Sequence, residues 1–435
     1  MWQIETMNIG RLGRIALGAW LLALGAPAIA QRIPTPLPDI SRTPPLGGII
    51  GGVERTRQDA LRDATDALEG TRAIVQDLAD DRRERLRDLV RINREQLEMT
   101  ELGPAVRGQV IAIDPDPAIL ERARAEGFEI SGEEPIEGLE IRAVTLAVPR
   151  GMAVDRALRR LRRLAPGTEF AANHLHSQSG SMGSGAGTAA FAQGGGSGSA
   201  IGLIDGGVAS HPSLRGPVQQ RGFVNGAPRP SAHATAIASL IAGSGPVRGA
   251  APGTPLLVAD IYGSDPAGGN AVALARALGW LAQQRVPVTA ISLVGPPNPL
   301  VARAVAQARA RGMHIVAAVG NDGPAAPPAF PASYPGVIAV TGVDSRNRPL
   351  IEAGRALHLD YAAPGADMAA AGANGRLESV RGTSYAVPFV AARLSRHVGS
   401  ARPLAALDAE LDPRGGRGRG RGVVCGSCRT PMPRN

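Results

Sequence analysis

At 435 residues the chain is long enough for two or three domains and a sizeable core, and 56 glycines, 36 prolines and only 3% aromatics suit a core of Ala, Val, Leu and Ile joined by tight turns. Two cysteines, Cys425 and Cys428, exclude a disulfide framework. The charge of +9 comes from a basic set without a single lysine, which in an Ala-, Gly- and Pro-rich chain reads as composition rather than as a surface for nucleic acid.

Residues 1–30 read as a signal peptide. Arg11 and Arg14 precede the apolar run Ile15–Ala30, which ends in Ala28-Ile29-Ala30, a small-x-small cleavage pattern. The run is too short for a membrane anchor, which needs about 20 apolar residues. The chain is therefore expected to be exported (periplasmic, cell-surface or secreted), with no stable membrane span after cleavage. Residues 31–52 form a Pro/Gly-rich linker.

Residues 53–102 change to alternating charges, with Leu61, Leu68, Val75, Leu78, Leu86, Leu89, Val90 and Leu97 at helical spacing. This charged helical segment is a spacer, or else a self-association or docking element. Residues 103–175 then give strand, helix, strand, strand, helix, strand: Gln109–Ile113, Asp116–Glu126, Phe128–Ile130, Ile141–Val148, Val154–Leu164 and Thr168–Ala171. That order is the ferredoxin-like α+β arrangement. Residues 176–199 are a Gly/Ser-rich linker open to proteolysis.

From 200 to 425 apolar strands alternate with Ala-rich helices. The strands are Ala200–Ile204, Leu256–Ile261, Val288–Leu293, His314–Val319 and Val337–Val343; the helices are His233–Ala242, Ala271–Gln284 and Pro299–Arg311. Near-continuous apolar strands alternating with helices predict a doubly wound, mostly parallel α/β sheet covered on both faces. Ligands collect at the carboxyl ends of such strands. Residues 426–435 remain as a C-terminal tail, with Cys425 and Cys428 suited to a local disulfide.

Four residues stand where such a fold concentrates chemistry. Asp205 follows the first strand, His233 enters a helix of small apolar residues, Asn321 follows His314–Val319, and Ser384 opens the run Arg381–Ala392 (RGTSYAVPFVAA). A serine needs a base, a group to orient that base, and donors for the oxyanion it creates. A serine at a loop-to-helix junction is expected to be exposed.

The segments IGLIDGGVASHPSL at Asp205, HATAIASLIAG at His233 and GTSYAVPFVAA at Ser384, with Asn321 between the last two, resemble the subtilisin-like serine peptidases (subtilases) over about residues 198 to 425. The resemblance implies an exported serine endopeptidase with Asp205, His233 and Ser384 as catalytic triad. Asn321 and the Ser384 N–H would form the oxyanion hole. It further implies that Ser292, Leu293, Val294 and Gly295 form an edge strand that pairs with substrate, and that Gly320 and Ala329 line the pocket for the residue before the scissile bond. Val294 and Ala329 stand where the family usually has Gly, which predicts a small or medium side chain in that pocket, whereas Asp322 at the rim would favour a basic one. Gly206 stands where Thr or Ser is commoner.

The ferredoxin-like region resembles the family's inhibitory propeptide. It implies a zymogen self-cleaved between about His174 and Ser199, with the propeptide as intramolecular inhibitor and chaperone. Partners are then protein or peptide substrates and not nucleic acid, although Arg414–Gly422 (RGGRGRGRG) superficially suits RNA. No cofactor is expected: the loop Gly243–Arg248 carries no carboxylate or asparagine for the calcium that some members bind. The alternative is a catalytically silent subtilase-fold docking protein that uses residues 53–102.

Overall fold

The computed structural model describes residues 74, 76–179, 199–412 and 418–433. The signal segment, the Pro/Gly linker, the first part of the charged segment and most of the Gly/Ser linker lie outside them.

The charged segment is helical over 76–92 (α1) and not, as its leucine spacing predicts, to residue 102. Asn93 stops it, its side-chain amide donating to the Leu89 carbonyl at 2.9 Å. Leu97–Thr100 is instead a strand, β1, antiparallel to the long strand β2 (Gly103–Ile113). The turn between them needs Gly103, at φ 141°, and Thr100 Oγ1 donates to the Gly103 carbonyl at 2.7 Å. Leu97 is fully buried, but in a sheet rather than on a helix face.

The next elements are α2 (Pro117–Ala125, capped by the Asp116 carboxylate), β3 (Glu129–Ile136), β4 (Ile141–Ala147), α3 (Val154–Leu164) and β5 (Glu169–His174). β2 pairs with β4 and β5, and β4 with β3, all antiparallel, which is the ferredoxin-like strand order. Along β2 the side chains alternate between two apolar environments. Val110 and Ala112 pack with Leu161 and Phe170 of the same unit. Ile111 and Ile113 pack with Leu278 and Leu281 of a helix belonging to the following domain. Burial of both faces explains why QVIAI reads as a continuous apolar run.

After a two-residue strand β6 (Ser177–Gln178), the second domain is built on β7 (Ile201–Asp205), β8 (Val218–Gly222), α4 (Ala232–Ala242), β9 (Leu256–Asp260), α5 (Ala271–Gln283), β10 (Val288–Ile291), β11 (Leu293–Val294), α6 (Pro299–Ala310), β12 (His314–Ala318), β13 (Ile338–Val343) and β14 (Tyr361–Pro364). A hairpin of β15 (Met368–Ala371) and β16 (Leu377–Val380) leads to a 3₁₀ turn (Thr383–Tyr385), α7 (Val387–Ser395) and α8 (Pro403–Asp408). Seven strands form a parallel sheet in the order β14-β13-β12-β10-β7-β9-β8. Sequence patterning misses β8, whose polar VQQRG is a sheet edge, and β14, which is only four residues long.

Helix α4 is buried over its whole length, and so consists of small and apolar residues on every side. The chain winds from β7 to β9 in one direction and to β10 in the other. A crevice therefore opens at the carboxyl ends of β7 and β10. The expected tail is part of the domain as far as it is described. Thr430 accepts from Ala369 N–H at 2.8 Å, and Cys425 and Cys428 are joined by a disulfide.

Candidate active site

Asp205 is the last residue of β7, and its carboxylate is fully buried in the crevice. Such burial is costly unless each oxygen is supplied with donors. Oδ2 lies 2.8 Å from His233 Nδ1, while Oδ1 accepts from Gly206 N–H at 2.7 Å. His233 is carried in by the first turn of α4, which Ser231 caps by accepting from Ala234 N–H. With Nδ1 held by the carboxylate, the other ring nitrogen, Nε2, is buried and has no hydrogen-bond partner among the described residues. An unpaired ring nitrogen fixed in this way is placed to exchange a proton with a neighbour.

Ser384 lies in the 3₁₀ turn before α7 and is fully buried, contrary to the exposure expected of it. What covers it is the chain's own segment 176–179. β6 pairs antiparallel with β11, Leu293 opposite Gln178 and Val294 opposite Ser177. The Ser292 carbonyl accepts from Ser179 N–H at 3.1 Å and from its Oγ at 3.0 Å. Farther back, Tyr262 donates its hydroxyl to the His176 carbonyl at 2.7 Å. Ser179 thereby reaches the reactive group: Ser384 Oγ is 2.6 Å from Ser179 Oγ.

Asn321 stands at the carboxyl end of β12. Its Oδ1 accepts from Thr383 N–H at 2.8 Å, which fixes the amide and aims Nδ2 at the Ser179 carbonyl oxygen, 2.5 Å away. Gly382 must approach this amide without a side chain; it has φ 142°, and a Cβ there would lie 2.8 Å from Asn321 Nδ2. The carbonyl that follows Ser179's Cα is therefore polarised by a side-chain amide while a serine hydroxyl stands next to it.

The remaining sequence-predicted residues converge on the same place. Val294 Cγ1 approaches to 3.2 Å of where a Gly320 side chain would begin, and the Ala329 methyl to 3.9 Å. Gly295 faces the His176 ring, and a Cβ at Gly295 would meet it at 2.5 Å. Ser292 Oγ donates to the Ser384 carbonyl at 3.0 Å and so ties the end of β10 to the serine turn.

Two contacts were not legible in the sequence. Gln178 Nε2 donates to Asp205 Oδ1 at 2.7 Å. Arg82 and Arg85 of α1 take both oxygens of Asp322, at 3.0 and 2.7 Å, beside Leu78 packed near Gly323. The only sequence signal for the first was the small-residue stretch beginning at Ser177; for the second it was the arginine-rich face of the helix.

The model of the subtilase family matches residues 196–402. Subtilisin BL of Lederbergia lenta is 33% identical over 205 residues, which is 45% of this chain and 74% of that protein. Subtilisin DY of Bacillus licheniformis is 32% identical over 202 residues, covering 44% and 73%. Among solved structures, fervidolysin from Fervidobacterium pennivorans, a keratinolytic enzyme related to subtilisin, superposes with a TM-score of 0.61 at 18% identity, over 76% of this chain and 62% of that one. The epidermin leader peptide processing serine protease of Staphylococcus aureus gives 0.56 at 14% identity, over 74% and 97%. These two likenesses concern the fold.

Proposed function

The chain belongs to the subtilase family of serine endopeptidases, and on that premise we propose that Ser384 is its nucleophile, His233 the general base and acid, Asp205 the residue that orients and charges the imidazole, and Asn321 with the Ser384 N–H the oxyanion hole. The observation that carries this reading is the Ser179 carbonyl, held at 2.5 Å by Asn321 Nδ2 beside Ser384. It occupies the place of the carbonyl that a protease attacks.

Ser384 Oγ turns from Ser179 Oγ to the carbonyl carbon and gives its proton to His233 Nε2. The negative oxygen is stabilised where the amide already points, so no reorganisation is needed as charge develops. His233 then hands the proton to the leaving amine, and a water molecule activated by the same nitrogen hydrolyses the acyl-enzyme. These side chains suffice for the chemistry without a metal or cofactor.

The same geometry supports a zymogen in which the ferredoxin-like unit delivers residues 176–179 to the cleft, and the bond to be cut is Ser179–Gly180. On this reading the cut falls within the expected interval from His174 to Ser199. Export is part of the proposal and rests on the leader at Arg11–Ala30. Among the described residues no helix is long and apolar enough to cross a membrane.

Ser179 is itself small, in agreement with a pocket narrowed by Val294 and Ala329. Ala329→Gly is expected to raise kcat/KM for peptides with leucine before the scissile bond by about tenfold relative to alanine, since one methylene is worth roughly 1–3 kcal/mol in such a pocket. A peptide library scored before and after the substitution checks this; an unchanged ratio places the pocket elsewhere.

Release of the cleaved propeptide is expected to depend on pH. Burial, opposed by the Asp155 charge, lowers the pKa of His174 to about 4; burial and then the His174 charge do the same for His176. Once released, both return towards the ordinary 6.5, so the free propeptide binds more protons between these values. Docking is therefore strongest above pH 6.5 and weakens as pH falls towards 4, by up to about tenfold per unit for each histidine. Size-exclusion chromatography of the cleaved complex across that range should show dissociation rising as pH falls, with a shallower dependence in His174→Gln.

A further inference from the structure

We propose that the cleft holds a pocket for a primary-amide side chain at the second residue before the scissile bond, with Gln178 as its resident occupant and the catalytic-site carboxylate Asp205 as its acceptor. The inference rests on Ser384 acting as nucleophile. Gln178 lies opposite Leu293 in the antiparallel pairing of β6 with β11, one residue before Ser179. Because side chains alternate along a strand, Ser177 faces out while Gln178 is half-buried and turned to the floor of the site. Its Nε2 reaches Asp205 Oδ1 at 2.7 Å, alongside the Gly206 N–H on the same oxygen.

Gly206 borders this contact. A Cβ at 206 would stand 3.7 Å from Gln178 Nε2, an ordinary contact distance, and 2.7 Å from Ser231 Oγ, so a side chain there would press on the cap of α4 beside the amide. Asp205 is fully buried, and a neutral donor supplied by the substrate stabilises its charge on the oxygen that His233 does not use. Leucine matches glutamine in size but has nothing to donate. Glutamate matches it in shape but brings a second carboxylate against Asp205.

Leucine forgoes a hydrogen bond to a charged acceptor, so the net preference for glutamine over leucine is about tenfold. Against glutamate it is about a hundredfold. The test is made in cis and in trans. Full-length wild type, Gln178→Leu and Gln178→Glu are followed by intact mass for cleavage after Ser179. The mature wild-type enzyme is given peptides of the sequence of residues 174–183 carrying Gln, Leu or Glu at position 178.

The expected order of rate and of kcat/KM is Gln above Leu above Glu in both formats. Equal rates for Gln and Leu, or faster cleavage of Gln178→Leu, overturn the pocket and leave Ser384 as nucleophile. No cleavage of any wild-type form after Ser179, in cis or in trans, overturns both.

Discussion

Ser384→Ala is expected to leave the chain uncut between Ser179 and Gly180 and to abolish hydrolysis of added protein, while the wild type yields a product beginning at Gly180. Removing a triad nucleophile costs about 10⁶ in kcat in a subtilisin, and the scale should hold wherever serine, base and oxyanion donor act as one unit. The substitution removes one buried hydroxyl, hydrogen-bonded among the described residues to Ser179 Oγ, so the fold should be retained. The intact variant should thus hold residues 176–179 in the cleft indefinitely. Intact-mass spectrometry of both proteins checks the result; identical processing in the two would mean that another protease, or another residue, makes the cut.

Asn321→Ala is the second large effect. Asn321 Nδ2 already lies on the Ser179 carbonyl, and its worth grows when that oxygen becomes negative. The loss should therefore fall on kcat, by about 10² to 10³, with KM little changed. Asn321 also accepts from Thr383 N–H in the turn that carries Ser384. A purely structural role would raise KM and lower thermal stability together. Steady-state kinetics on one peptide, with a melting curve for each protein, separates the two.

The site was more legible in the sequence than its occupant. Asp205, His233, Asn321 and Ser384 each sit in a short local pattern, a strand end or a helix start, that survives without knowledge of the partners. Their assembly follows from the parallel sheet, which brings its carboxyl ends to one crevice. The stretch His176 to Ser179 has no periodicity of its own. It is extended because Ser292, Leu293 and Val294, more than a hundred residues away, offer it a strand to pair with. That is also why Ser384, expected at the surface, is covered.

The same limit explains the helix that ends at 92. Leu86, Leu89, Val90 and Leu97 suit one helical face, but Leu97 is claimed by β2, a pairing that no local spacing reveals. The described part of that helix is tied to the following domain through Arg82 and Arg85 on Asp322. Arg85 is mostly exposed, so the pairs set position more than they add stability. Holding α1 beside Asn321, they extend the covered surface past the cleft strand.

On the proposed mechanism Ser384 is an activated nucleophile served by His233. Treating the mature protein with a serine-directed phosphonylating or sulfonylating reagent, and mapping the adduct by peptide mass, tests it most directly. One adduct is expected, on Ser384, with loss of proteolysis in step with labelling and no labelling in His233→Ala. Unlabelled Ser384 in protein that still hydrolyses its substrate, or an adduct on a different serine that tracks the lost activity, would contradict it.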